Sequence, residues 1–77
     1  MEKPAPRIVY TAHARQRMAL RGITDEMVRQ ALEVPDEKGI GYRARVLVYR
    51  RFPQGRIKVI CVEKQERITV ITVMWED

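Results

Sequence analysis

Ile23-Thr-Asp-Glu-Met-Val-Arg-Gln-Ala-Leu-Glu-Val-Pro-Asp-Glu-Lys-Gly-Ile-Gly-Tyr42 is where the chain changes its periodicity. Met27, Val28, Ala31 and Leu32 fall at helical spacing and make one apolar stripe. Thr24 suits the N-cap, and Asp25 and Glu26 fill the positive first turn. Ile23 before the cap and Val28 inside can form a hydrophobic staple. Pro35 stops the helix. Asp36 to Gly41 reads as a polar loop with two glycines. Beyond it the pattern becomes strand-like. Arg43 to Phe52, Arg56 to Glu63 and Arg67 to Trp75 are each rich in Val, Ile, Thr and aromatics.

Upstream, Thr11-Ala-His-Ala-Arg-Gln-Arg-Met-Ala-Leu-Arg-Gly22 reads as another short helix. Thr11 is a good N-cap and Gly22 a good left-handed C-cap. Its apolar residues are few and scattered, so it packs lightly. Only Gly22-Ile23 separates the two helices, which makes a tight hairpin or corner. Ile8-Val9-Tyr10 is either a short edge strand or an extended lead-in. Pro53-Gln54-Gly55 suits a type I turn with a glycine bulge, and Lys64-Gln65-Glu66 a second short turn. The expected fold is α+β. Two N-terminal helices pack on a three- to four-stranded antiparallel sheet. Residues 1–7 are expected to form a flexible leader and residues 8–77 a single domain.

A chain of 77 residues builds one modest core, which leaves room for a shallow surface site rather than an enclosed cofactor. No cofactor is expected. The formal net charge is +5, and its distribution says more than its total. No acid lies between Lys3 and Thr24, or between Gly39 and Lys58. Eleven of the fifteen basic residues are arginine, whose planar fork grips phosphate at two points. A segregated basic surface favours a polyanionic partner, although arginine-rich codon usage would give the same composition. The single Cys61 excludes an internal disulfide and reads as a small buried hydrophobe. No signal peptide or membrane-length apolar run is present, so a cytoplasmic protein is expected, with no membrane partner.

His13, Arg17 and Arg21 are spaced i, i+4, i+8 and stack along one side of their helix. Three adjacent groups that can all be cationic would repel, and an incoming anion would explain them. His13 sits in the first helical turn, where free N–H groups and the dipole attract phosphate. A neutral imidazole there can accept a proton from a ribose 2′-hydroxyl. It could equally be a structural histidine bonded to a strand carbonyl. Arg17 and Arg21 could stabilise a pentacoordinate phosphate or be solvated surface residues.

In the first hairpin, a three-residue loop sets Arg50 opposite Lys58, and a two-residue loop sets Arg51 opposite Arg56. Either register pairs cation with cation, which is destabilising. A sheet that binds phosphate tolerates it, and so does an exposed hairpin tip where long side chains splay apart. Tyr42 and Tyr49 flank the basic strand and could stack on bases. Thr69 and Thr72 fall on opposite faces of the last strand by its period of two. Trp75 should cover the end of the core. Glu63 could pair with arginine or act as a base. A single His and a single Cys, with no carboxylate at ligand spacing, argue against a metal site. There is no phosphate-cradling glycine loop and no nucleophile elbow.

The run His13-Ala-x-x-Arg17-Met-x-x-Arg21-Gly-Ile-Thr24, together with the strand Thr72-Val73-x-Trp75, resembles the small bacterial domain-of-unknown-function family numbered 4258. The resemblance spans Ile8 to Trp75. That family is similar to the RelE/BrnT-type toxins within the wider barnase-like nuclease group. The resemblance therefore implies helices on one face of an antiparallel sheet. It also implies an RNA-cleaving role, ribosome-associated or free, beside an antitoxin protein.

The leading expectation is a toxin-type, metal-independent ribonuclease. His13 would be the acid/base, Arg17 and Arg21 would contact phosphate, and Tyr49, Arg50, Arg51 and Lys58 would carry the RNA. The alternative is a non-catalytic basic module that binds nucleic acid or protein. A third reading is a structural domain whose charge is incidental.

Overall fold

The computed structural model describes residues 6–76. The expected leader lies outside them as far as residue 5, while Arg7, assigned to that leader, opens the first strand. In chain order the elements are β1 (Arg7–Tyr10), α1 (Ala12–Arg21), α2 (Asp25–Glu33), β2 (Glu37–Ile40), β3 (Val46–Phe52), β4 (Gly55–Lys64) and β5 (Arg67–Trp75). A single 3₁₀ turn, Tyr42–Ala44, stands between β2 and β3.

Both helices form where their caps place them. The Thr11 hydroxyl accepts the Ala14 N–H at 3.0 Å, and the Thr24 hydroxyl accepts the Met27 N–H at 3.1 Å. Gly22 closes α1 at φ +67°, a conformation that residues with a Cβ avoid.

The strands form one sheet in the order β1-β5-β4-β3-β2. β5, β4, β3 and β2 are antiparallel neighbours, but β1 runs parallel to β5. The sheet is therefore five-stranded and mixed, where three to four antiparallel strands were expected. The polar loop expected over Asp36 to Gly41 contains β2. Its Lys38, Gly39 and Ile40 pair with Val48, Leu47 and Val46. β2 escaped the pattern because four residues are too few to show a period. The short edge strand readable at Ile8 to Tyr10 is present as β1; what its sequence did not show is the parallel pairing to β5. The direction of β1 is fixed by its flanking bonds, from the Arg7 N–H to Glu66 O and from the Thr11 N–H to Val70 O.

Both helices lie on one face of the sheet. Ala14 and Met18 of α1, Ile23, and Met27, Val28 and Ala31 of α2 share one buried cluster with sheet residues. The sheet contributes Val46, Val48, Ile57, Val59, Cys61, Ile68, Val70 and Val73. A bulge interrupts the β4–β5 ladder. Ile60 pairs with Thr72 and Cys61 with Val70, so Ile71 has no opposite partner. The extra residue turns both Val70 and Val73 toward the core. It also brings Thr69 and Thr72 to the same face, opposite Val62 and Ile60, where strict alternation would have separated them.

Candidate nucleic-acid interface

β1 ends at Tyr10, paired with Val70. From Ile71 onward, the outer side of β5 has no strand partner among the described residues. α1 lies along this edge and satisfies its carbonyls. The Thr11 hydroxyl donates to Ile71 O at 3.0 Å, and the Arg21 guanidinium donates to Val73 O at 2.7 Å. Trp75 answers with its indole N–H to Arg21 O at 2.8 Å. Arg21 therefore borders the free edge of β5, at the C-terminal end of the helical row His13–Arg17–Arg21. His13 is exposed in the first turn and Arg17 is half-buried. Arg15 is engaged elsewhere, bonded to Asp25 at 2.6 Å.

The other face of the sheet carries no helix among the described residues. Strand alternation places Leu47, Tyr49 and Arg51 of β3 there, opposite Ile60, Lys58 and Arg56 of β4. Met74 and Thr72 of β5 continue the rows beyond Lys58 and Ile60. The hairpin register is the one that sets Arg51 against Arg56, with Phe52 opposite Gly55. The Tyr49 ring has two cations against it. Arg56 Cζ lies 4.5 Å from the ring centroid and Lys58 Nζ lies 5.7 Å from it. Arg56 also pairs with Glu37, and Lys58 lies 3.7 Å from Glu76. Arg51 is exposed, its backbone N–H held by Asp36 Oδ2 at 2.7 Å. Tyr49, Arg51 and Lys58 therefore come together, as the sequence reading grouped them, and Arg56 joins them.

Arg50 does not join them. It pairs with buried Ile57 and so faces the helices. Its guanidinium donates to Val34 O at 2.7 Å, at the negative end of α2. Its Nε is buried without a hydrogen-bond partner among the described residues. The adjacent sequence positions Arg50 and Arg51 look alike, but the period of two sends them to opposite faces. Arg56 could have been found from the same period, since it shares parity with Lys58. Glu63 pairs with Lys38 at 3.3 Å, the lysine of the unforeseen β2.

Cys61 is fully buried. Burial pushes its thiol up to about 11, Glu63 adds to the shift, and Lys38 offsets part of it. Burial also raises the Tyr10 hydroxyl, with a further push from Asp25. No helix among the described residues is long and apolar enough to cross a membrane.

Through Arg21, Val73 and Trp75, the two motif segments at opposite ends of the sequence meet in space. The chain belongs to the family described as Domain of unknown function (DUF4258). The match covers residues 10–75, which includes both helices, the hairpin cations and the Arg21–Trp75 contact. No curated protein and no solved structure matches this DUF4258 chain.

Proposed function

We propose that this DUF4258 chain binds single-stranded RNA across its open sheet face and cleaves it in the manner of RelE/BrnT-type toxins. The observation that supports this reading is the Tyr49 ring flanked by Arg56 and Lys58 on a face without helices. The Tyr49 ring is half-buried. A base can stack on such a ring once the cation lying over it turns to a phosphate, while neighbouring cations hold the backbone without reading sequence. The Tyr49–Lys58–Met74 row runs across three strands spaced about 4.8 Å apart and ends at the free edge of β5. Arg21, at the C-terminal end of the α1 row, borders that edge. In this arrangement His13 takes the 2′-hydroxyl proton and the 2′-oxygen attacks phosphorus to form a 2′,3′-cyclic phosphate. The 5′-oxygen leaves as the P–O bond breaks, taking a proton from water. Arg17 and Arg21 offset the charge that builds on the phosphate. An acidic antitoxin segment would compete for the same cations.

One observation favours a second reading, a binding module without catalysis. Arg21 already gives a guanidinium N–H to Val73 O, as a structural residue would. The experiment starts with binding of a short single-stranded RNA measured against salt. Affinity should fall steeply with salt, and each lost phosphate contact should lower the slope by about one. Arg51→Glu combined with Arg56→Glu should nearly abolish binding. Unchanged affinity in that variant, or a flat salt response, would remove the RNA reading. Binding without cleavage, with and without ribosomes, would leave the module.

A further inference from the structure

The open face has a second feature, next to the Tyr49 row. Tyr42, Arg43, Arg45, Leu47 and Ile60 line a concavity of about 390 Å³, within the size range of small-ligand sites. Leu47 and Ile60 are direct partners across β3 and β4 and form an apolar floor. Tyr42 is 83% exposed and contributes an aromatic wall that the fold leaves in solvent. Arg43 and Arg45 form no ion pair among the described residues. The Arg43 guanidinium lies 5.5 Å from the Tyr42 ring centroid.

The backbone that carries these groups is strained. Arg43 and Ala44 are consecutive left-handed residues, at φ +60° and +59°, a conformation disfavoured for any residue with a Cβ. The turn is held by the Gly41 N–H on Arg45 O at 2.6 Å and by the Arg45 N–H on Tyr42 O at 3.3 Å. Gly41 lets it settle on the floor, since a Cβ there would stand 3.2 Å from Leu47 Cδ2. A turn that only reversed the chain would favour glycine or asparagine at such positions. Here the strain sits beside an aromatic ring and two arginines at the mouth of a cavity.

We propose that this concavity is a nucleotide subsite. One unstacked base lies on the Leu47–Ile60 floor against the Tyr42 ring, and its phosphate lies on Arg43 and Arg45. The apolar floor excludes an inorganic anion as the natural occupant, because it offers such an ion no partner. The two arginines exclude a purely apolar one. Leu47 is two residues from Tyr49 on the same face, about 6.8 Å along the strand. The proposal rests on the RNA reading only in making this the neighbouring position on one bound strand. Its chemistry suits a free mononucleotide equally.

Adenosine and uridine 5′-monophosphates, titrated separately into isotope-labelled protein, test it by amide chemical shift. The expected result is saturable shifts at Tyr42 to Leu47 and at Ile60, with adenosine alone or phosphate alone binding more weakly. Tyr42→Ala should weaken mononucleotide binding about ten-fold, as expected for loss of a stacking ring, with the fold intact because the ring is exposed. Arg45→Glu should abolish it. Absent shifts, or full affinity in Tyr42→Ala, overturn the subsite. If a short RNA still binds in that case, the RNA reading survives. Mononucleotide binding without binding of short RNA supports the subsite as a free-nucleotide site, and the RNA reading then falls.

Discussion

Trp75 donates its indole N–H to the Arg21 carbonyl at 2.8 Å, and Arg21 returns a guanidinium N–H to the Val73 carbonyl at 2.7 Å. Each bond satisfies a group that its own element leaves open. The Arg21 carbonyl is in the last turn of α1, and the Val73 carbonyl is on an unpaired strand edge. Trp75→Phe keeps an aromatic ring but removes the indole N–H and part of the packed surface, so it should cost at least about 1 kcal/mol. Arg21→Ala should cost a similar amount. In a urea-unfolding double-mutant cycle the two should couple by at least about 0.5 kcal/mol. Strictly additive losses would show that the two bonds do not act as a unit.

Arg50 and Arg56 should separate stability from binding. Arg50→Ala loses the bond to Val34 O and should lower stability by roughly 1 to 3 kcal/mol, because the donor is charged. Its RNA affinity, measured on the folded fraction, should stay near that of the parent. Arg56→Ala should do the reverse, with a small change in melting temperature and a clear loss of affinity. A matching loss of RNA affinity in both variants would mean that Arg50 reaches the bound strand.

Cys61 gives a signed pH dependence. Its thiol is raised from an ordinary value near 9.0 to about 11 in the folded chain. The folded state therefore holds this proton more tightly than the unfolded state does. The contribution is fully present below pH 9 and is lost as pH rises toward 11. The difference in unfolding free energy between the parent and Cys61→Ala should shrink by on the order of 2 kcal/mol across that window. A constant difference from pH 8 to pH 11 would contradict a buried, protonated thiol.

The helices, their caps and the three long strands were legible because each repeats its signal over many residues. β2 was not, since four residues carry too little period. The edge strand readable at Ile8 to Tyr10 gave no sign of its parallel pairing, because pairing direction leaves no trace in composition. The bulge at Ile71 was also invisible, and it moved Thr72 across the sheet. Of the candidate site, Tyr49, Arg51 and Lys58 follow from alternation once the hairpin register is known. Arg50 was misplaced because its charge outweighed its parity. The Tyr42–Arg45 turn could not be foreseen, because nothing in its composition signals two successive left-handed residues.

His13 decides between the two functional readings. A structural histidine would hold a strand carbonyl, but along this edge Thr11 holds Ile71 O and Arg21 holds Val73 O. The imidazole is exposed, so its removal should leave the melting temperature almost unchanged. If it exchanges a proton with the 2′-hydroxyl, His13→Ala should cut RNA cleavage by about 10²- to 10⁴-fold with little change in RNA affinity. Arg17→Ala should slow cleavage without destabilising the fold. Arg21→Ala should lower both rate and stability, since it also closes the edge of β5. Cleavage and thermal unfolding measured on the same samples separate these effects. A destabilised His13→Ala that keeps its specific activity in the folded fraction would move catalysis away from α1.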